Sequence, residues 1–260
     1  MTDTTSSPGF WSGLANPTRF IALADRLIAP LAGLSAVLLA VGLWMAFSAP
    51  EDFQQGITVR IMYIHVPFAW LSMFCYGVMT IAALGTLVWR HPLADVALKA
   101  AAPIGATFTA LALATGSIWG KPMWGTWWVW DARLTSVFVL FLIYLGIIAL
   151  TRALDDPSRS ARAAAVVTLV GAINLPIIKF SVDWWNTLHQ PASVFRLDGP
   201  TIHSSLLWPL AVMALGFTVM FLALHLAAIR TEIFRRRVAA MQRIAARRAE
   251  RQSGGETRPR

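Results

Sequence analysis

Over 260 residues the chain is 57% hydrophobic and only 13% charged, against roughly half and a quarter in ordinary soluble domains. That composition excludes a water-soluble globular domain. The formal charge of +9 comes mostly from the C-terminal end, and a single cysteine, Cys75, excludes both an intrachain disulfide and a Cys-X-X-Cys redox pair.

The first apolar run, 27–47, follows Arg19, Asp25 and Arg26. It is too long for the apolar stretch of a cleaved leader and lacks a convincing small-residue cleavage site, so it is expected to stay as an anchor. The second run, 66–89, is introduced by Tyr63, His65 and Pro67, and a proline there suits a first helical turn. The third and fourth, 100–119 and 134–151, flank Trp119, Trp124, Trp127, Trp128 and Trp130. After the fifth, 163–178, come Asp183, Trp184, Trp185 and His189; the sixth, 204–229, starts behind His203 and leads into an arginine-rich tail. None of the six holds an acidic, lysine or arginine side chain, and each comes close to the roughly 20 residues that cross a 30 Å hydrocarbon core. The runs are continuous, without the inward and outward alternation of barrel strands. The expected fold class is all-α, a polytopic membrane protein with six transmembrane helices. Its parts are a cytoplasmic segment 1–26, a membrane domain 27–229 and a basic cytoplasmic tail 230–260.

With the N-terminus inside, the inner segments hold 17 of the 22 lysines and arginines, and the outer ones only Arg60, Lys121, Arg133, Lys179 and Arg196. Without the tail the balance is still seven against five. The positive-inside rule therefore puts both termini in the cytoplasm and the segments 48–65, 120–133 and 179–203 on the opposite face. In the tail, Arg235, Arg236, Arg237, Arg243, Arg247, Arg248 and Arg251 continue a helical Ala/Arg pattern. A basic helix just inside a last span reads as a topology signal and a contact for anionic membrane lipid, not as a nucleic-acid site.

The outer segments carry the chemistry. Five tryptophans within twelve residues are too dense for the dispersed interfacial belt that anchors membrane proteins, and suit a flat aromatic ligand. Gly120, Pro122 and Gly125 are expected to break any helix there, displaying the indoles from a structured loop, 119–133. Asp131, just ahead of the fourth span, is expected to cap a helix start, direct ligand contact being the lesser alternative. Three of five histidines, His65, His189 and His203, fall on this side. Lone histidines near helix ends commonly cap backbone or bind water, and His203 belongs with the start of the last helix. A metal held by protein alone recruits several ligands, yet Glu51, Asp52, Asp131, Asp183 and Asp198 are scattered without paired spacing. Haem needs only two axial histidines because the porphyrin supplies four ligands. Arg60, Arg133, Lys121 or Arg196 can then pair with its propionates.

From Trp119 through Trp124, Trp127, Trp128 and Trp130 to Asp131 and Ser136, the chain resembles the tryptophan-rich WWD signature of haem-handling proteins in cytochrome c biogenesis. Six spans, a histidine at the outer start of the second, and Trp184, Trp185, Asn186, Thr187, Leu188, His189, Gln190 and Pro191 after the fifth are similar to the cytochrome c maturation protein C, or haem exporter protein C, family. The resemblance implies a bacterial inner-membrane protein without enzymatic turnover that holds haem b as transient cargo on its periplasmic face. By it, His65 and His189 map to the two axial iron ligands and the Trp-rich loop lies against a porphyrin edge. Arg60 and Arg133 become candidates for propionate or chaperone contacts. It also implies partners: a periplasmic haem chaperone that receives the haem, a pair of ATP-binding cassette subunits, and a small single-span subunit. The competing expectation is a cytochrome b-type electron carrier with permanent bis-histidine haem. That usually needs histidine pairs within facing helices, and only His225 lies well inside a span. A solute transporter would want ionisable groups near the midplane, which the runs lack. No proton relay or nucleophile constellation is evident.

Overall fold

Asn16 opens the first helix: its Oδ1 accepts the N–H groups of Thr18 and Arg19 at 2.9 and 3.4 Å, and Pro17 follows in the first turn, where its missing N–H costs nothing. In the computed structural model, residues 15–185, 187–189, 193–194, 196 and 198–256 are described. Residues 1–14 and 257–260, together with Asn186, Gln190 and Pro191 of the second sequence motif, lie outside them. Among the described residues the structure is helical and without strands, apart from one isolated bridge between Asp52 and Gly56.

The helices are α1 (Pro17–Ser48), α2 (Met62–Leu87) after a 3-10 turn Ile57–Ile61, α3 (Ala94–Trp124), α4 (Ala132–Ala153), α5 (Pro157–Gly171), α6 (Asn174–Trp184) and α7 (Ser204–Glu256). Taking α5 and α6 as one span, six helices among the described residues are long and apolar enough to cross a membrane, as the sequence indicated. The fifth span is interrupted at residues 172–173 because Pro176 has no N–H to give to the Ala172 carbonyl. That carbonyl accepts from Leu175 N–H at 3.1 Å, and α6 starts afresh with Pro176 in its first turn.

Lipid tails are as apolar as the side chains, so shape and interhelical hydrogen bonds hold the bundle together. Tyr144 of α4 donates to the Ser72 carbonyl of α2 at 2.8 Å, and Tyr76 of α2 to the Thr168 carbonyl of α5 at 3.1 Å; both rings are fully buried and meet edge to face. On the other side α1 lies along α7, joined by Ser35 Oγ donating to the Gly216 carbonyl at 3.0 Å. His225 of α7 stacks on Phe221 and engages the Ala97 carbonyl at 3.0 Å, tying α7 to α3.

The start of the tail carries packing contacts that the sequence did not indicate. α7 continues through residue 230 without a break, and its inner turns are docked. Buried Glu232 binds Lys99 at 2.8 Å, Arg235 at 2.9 Å and Arg236 at 3.3 Å, while Arg236 also reaches Asp95 at 2.7 Å. Arg230 pairs with Asp25 at 2.6 Å, and Arg237 donates to the Thr18 hydroxyl at 2.9 Å. These contacts fasten α7 to α1 and α3 at the end of the bundle opposite the tryptophans.

Candidate functional site

The third helix runs five residues further than its apolar stretch indicated. Gly120 and Pro122, expected to break it, are both inside α3, which stops only at Gly125 in a left-handed conformation, φ 75°. Pro122 forfeits one hydrogen bond in a last turn where carbonyls are poorly satisfied anyway, whereas Gly125 takes a φ that other residues resist. Its N–H donates to the Lys121 carbonyl and its carbonyl accepts from Lys121 Nζ, each at 3.0 Å. Trp119 and Trp124 are therefore helical, and only Trp127, Trp128 and Trp130 are presented by the following loop.

This helix end holds His65. The imidazole, in the first turn of α2, has Nδ1 3.1 Å from the Thr115 hydroxyl, and Thr115 donates its own proton to the Leu111 carbonyl at 2.7 Å. With its proton on Leu111, the Thr115 hydroxyl can accept an N–H from His65 Nδ1, the tautomer in which Nε2 carries the lone pair, and the Ala112 carbonyl also lies against the ring. Gly116 makes room for the ring, since a β-carbon there would stand 2.9 Å from His65 Cε1. Trp119 meets the ring edge-on, centroids 5.6 Å apart, and its indole N–H is anchored on Gln55 at 3.1 Å.

His189 is held from the loop. Asp131 caps α4 by accepting Leu134 N–H on Oδ1 at 2.7 Å; its Oδ2 accepts from the Thr187 hydroxyl at 2.5 Å and engages His189 Nδ1 at 2.9 Å. The capping role and the histidine contact coexist because a carboxylate has two oxygens. Burial pushes the Asp131 carboxyl up, but the hydrogen bonds from Thr187, Leu134 and His189 outweigh it and hold it below the usual range. Burial takes His189 below the ordinary imidazole value, with Asp131 opposing, so the ring is neutral near pH 7 and gives Nδ1–H to the carboxylate. Among the described residues its Nε2 has no hydrogen-bond partner. Trp124 stands edge-on to it with centroids 4.9 Å apart.

The remaining tryptophans divide. Trp128 and Trp130 pack edge-on to each other, centroids 5.4 Å apart, and both against Phe138 of α4. Trp130 and Trp127 are largely exposed, while Trp128 Nε1 is buried with no partner among the described residues. Arg133 reaches the Ser181 hydroxyl and the Lys179 carbonyl at 3.2 and 3.3 Å, joining α4 to α6 beside His189, and Arg60 lies 6.0 Å over the Phe47 ring. His203 caps the start of α7 with Ser205 and is exposed. A cleft of about 390 Å³ opens between Trp44 of α1 and Trp208 of α7, apart from the two histidines. Among the described residues no group of three or more His, Cys, Asp or Glu is placed to hold a metal ion. Thr115, Gly116, Gln55 and Phe138 are parts of the site that sequence reasoning missed. Thr187 was in view inside the second motif without a role.

Comparison with known proteins decides the family. The family model described as heme exporter protein C matches residues 10–244. The chain belongs to the heme exporter protein C family. A heme exporter protein C of Bradyrhizobium diazoefficiens is 70% identical over 229 residues, 88% of this chain and 87% of the relative. That of Escherichia coli K12 is 48% identical over 222 residues, covering 85% and 89%. A Marchantia polymorpha mitochondrial protein named as ccmC-like and for cytochrome c biosynthesis is 47% identical over 205 residues, covering 78% and 87%.

Proposed function

We propose that the protein takes part in haem export for cytochrome c biogenesis, binding haem b as cargo between His65 and His189 and passing it to a periplasmic haem chaperone. The observation that carries this is the matched pair of imidazoles. Each has Nδ1 engaged by a fixed acceptor, which leaves Nε2 as the nitrogen to ligate, the arrangement in which iron-ligating histidines are oriented by their outer contacts. Trp119 and Trp124 flank the two rings, Trp130 offers an exposed aromatic face, and buried Trp128 Nε1 is a donor suited to a propionate oxygen. Arg60 and Arg133 add charge-assisted donors nearby. Asp131 acts through His189 and the helix cap, with no direct part in holding the porphyrin.

When bound, haem supplies an iron centre with two open axial positions; the chain's own residues orient it, shield one edge and let it go. The site sits on the periplasmic face of the bacterial inner membrane, with both termini cytoplasmic. ATP-binding cassette subunits and a small single-span subunit complete the assembly. Against a permanent b-type cytochrome stands His225, the histidine well inside a span, which is committed to the Ala97 carbonyl and to Phe221.

The test is haem retention on purification of His65→Ala and His189→Ala variants, alongside chaperone loading in the same cells. At unchanged membrane abundance, chaperone loading should fall sharply in both variants and haem retention in at least one of them. Full haem absorbance and a fully loaded chaperone in both variants would sink the axial assignment.

A further inference from the structure

The two imidazoles are oriented alike but by acceptors of different chemistry, and the difference assigns them different roles in release. Around His65 the acceptors are uncharged: the Thr115 hydroxyl, whose own proton is spent on the Leu111 carbonyl, and the Ala112 carbonyl. Behind His189 is a carboxylate, Asp131, fixed by two further hydrogen bonds from Leu134 N–H and Thr187. An ionised acceptor makes a markedly stronger hydrogen bond than a neutral one. It also draws the Nδ1 proton toward itself and pushes electron density to Nε2, raising the basicity of the imidazole as a metal ligand. A hydroxyl does this weakly.

The mechanical settings differ in a compensating way. His65 rides on a buried helix turn, so its backbone does not follow a departing iron, and its ring is confined by Gly116 and Trp119. His189 lies on a non-helical segment, yet that segment is gathered onto Asp131 by the Thr187 hydroxyl, by His189 itself, and by His189 N–H donating to Thr187 Oγ1 at 3.0 Å. The stronger donor is thus on the non-helical segment tied to Asp131, and the weaker donor on the helix.

We infer that His189 is the anchoring ligand and His65 the exchangeable one, the iron–Nε2 bond to His65 being the bond given up when the recipient presents its own ligand. The inference rests on the axial reading proposed above. The step is a plain ligand exchange: the His65 lone pair leaves iron, a lone pair from an incoming nitrogen or oxygen ligand replaces it, and no electron changes hands. Thr115 and Asp131 are then positioning residues that set the order of release.

The experiment uses full-length protein purified with haem, with imidazole as the probe ligand. His65→Gly is expected to keep haem through His189 and to return to a six-coordinate low-spin spectrum when imidazole is added. His189→Gly is expected to lose most haem and not to be restored at the same imidazole concentration. The opposite pattern, or equal behaviour of the two, overturns the assignment; if both variants keep a native low-spin spectrum without imidazole, the axial reading itself fails. A second pair guards against misfolding. Asp131→Asn keeps an acceptor and a cap, and should weaken haem retention about tenfold and raise the midpoint potential by removing ferric-state stabilisation. Thr115→Val should leave retention nearly intact but speed imidazole exchange about tenfold, with Thr115→Ser restoring the parent rate. Faster exchange in Asp131→Asn than in Thr115→Val would reverse the roles.

Discussion

Asp131 spends one carboxylate oxygen on the start of α4 and the other on His189, 2.9 Å away. A residue that begins a transmembrane helix therefore also fixes the tautomer of an imidazole 58 positions later. The position of the histidine is thereby referred to the membrane bundle itself.

Acid should loosen this arrangement in the haem-free protein. Asp131 and His189 both sit below their ordinary values of 3.8 and 6.5. Groups with depressed values contribute stability that is present above the unfolded value and lost as pH falls through the folded one. Protection of the backbone at 187–189 should be full near pH 7.5, decline once pH drops below 6.5 as His189 charges, and disappear as Asp131 protonates below 3.8. Hydrogen exchange across that pH range measures it; protection that rises on acidification would contradict the scheme.

Gly116→Ala tests the room kept for His65. Its β-carbon would arrive 2.9 Å from His65 Cε1, and the imidazole must leave the Thr115 hydroxyl to relieve the contact. Overpacking of this kind costs about 1–3 kcal/mol, too little to unfold the bundle. The expected result is normal membrane abundance with haem content well below the parent, read from the Soret band.

Glu232 is the hub of the opposite end, buried while Lys99, Arg235 and Arg236 converge on it. Glu232→Gln takes this counter-charge from Lys99 and Arg235, while Arg236 keeps Asp95 at 2.7 Å. Allowing for the partial exposure of the cations, the cost is about 2 kcal/mol. Thermal unfolding in detergent should shift downward by several degrees while the haem spectrum of the folded fraction is unchanged, because the histidines lie at the other end.

Opposite sidedness of the two ends is checked with fused reporters. One placed at Trp127 should report the periplasm and one after Arg260 the cytoplasm. A cytoplasmic signal at Trp127 would overturn the orientation and with it the route to a periplasmic chaperone.

The bundle was legible because spanning runs must satisfy their own backbone in lipid, which leaves uninterrupted apolar stretches visible in the chain. Helix ends were less so. α1 begins at Pro17, ten residues before its apolar run, because Asn16 and Pro17 start a helix that Arg19, Asp25 and Arg26 continue at the interface. Pro122 and Gly120 read as breakers because local propensity says so, but packing carried α3 past both. His65, His189 and Asp131 were picked out by type and position. Thr115 was invisible, since it lies 50 residues from the imidazole it orients and resembles any other threonine of a transmembrane helix. Glu232 was hidden in the same way: one of three glutamates within an arginine-rich tail, it shows its purpose only once α3 is laid beside it.

The passage of α3 through Gly120 and Pro122 puts Trp119 and Trp124 on one rod. Five residues apart, they are separated by about 7.5 Å along its axis and about 140° around it, and each touches a different imidazole. The spacing between the indoles that flank the two histidines is thus a helical constant and not a loop's choice. Inserting or deleting a single residue between them would turn one indole away from its histidine by about 100°, detuning the gauge against which a planar guest is measured.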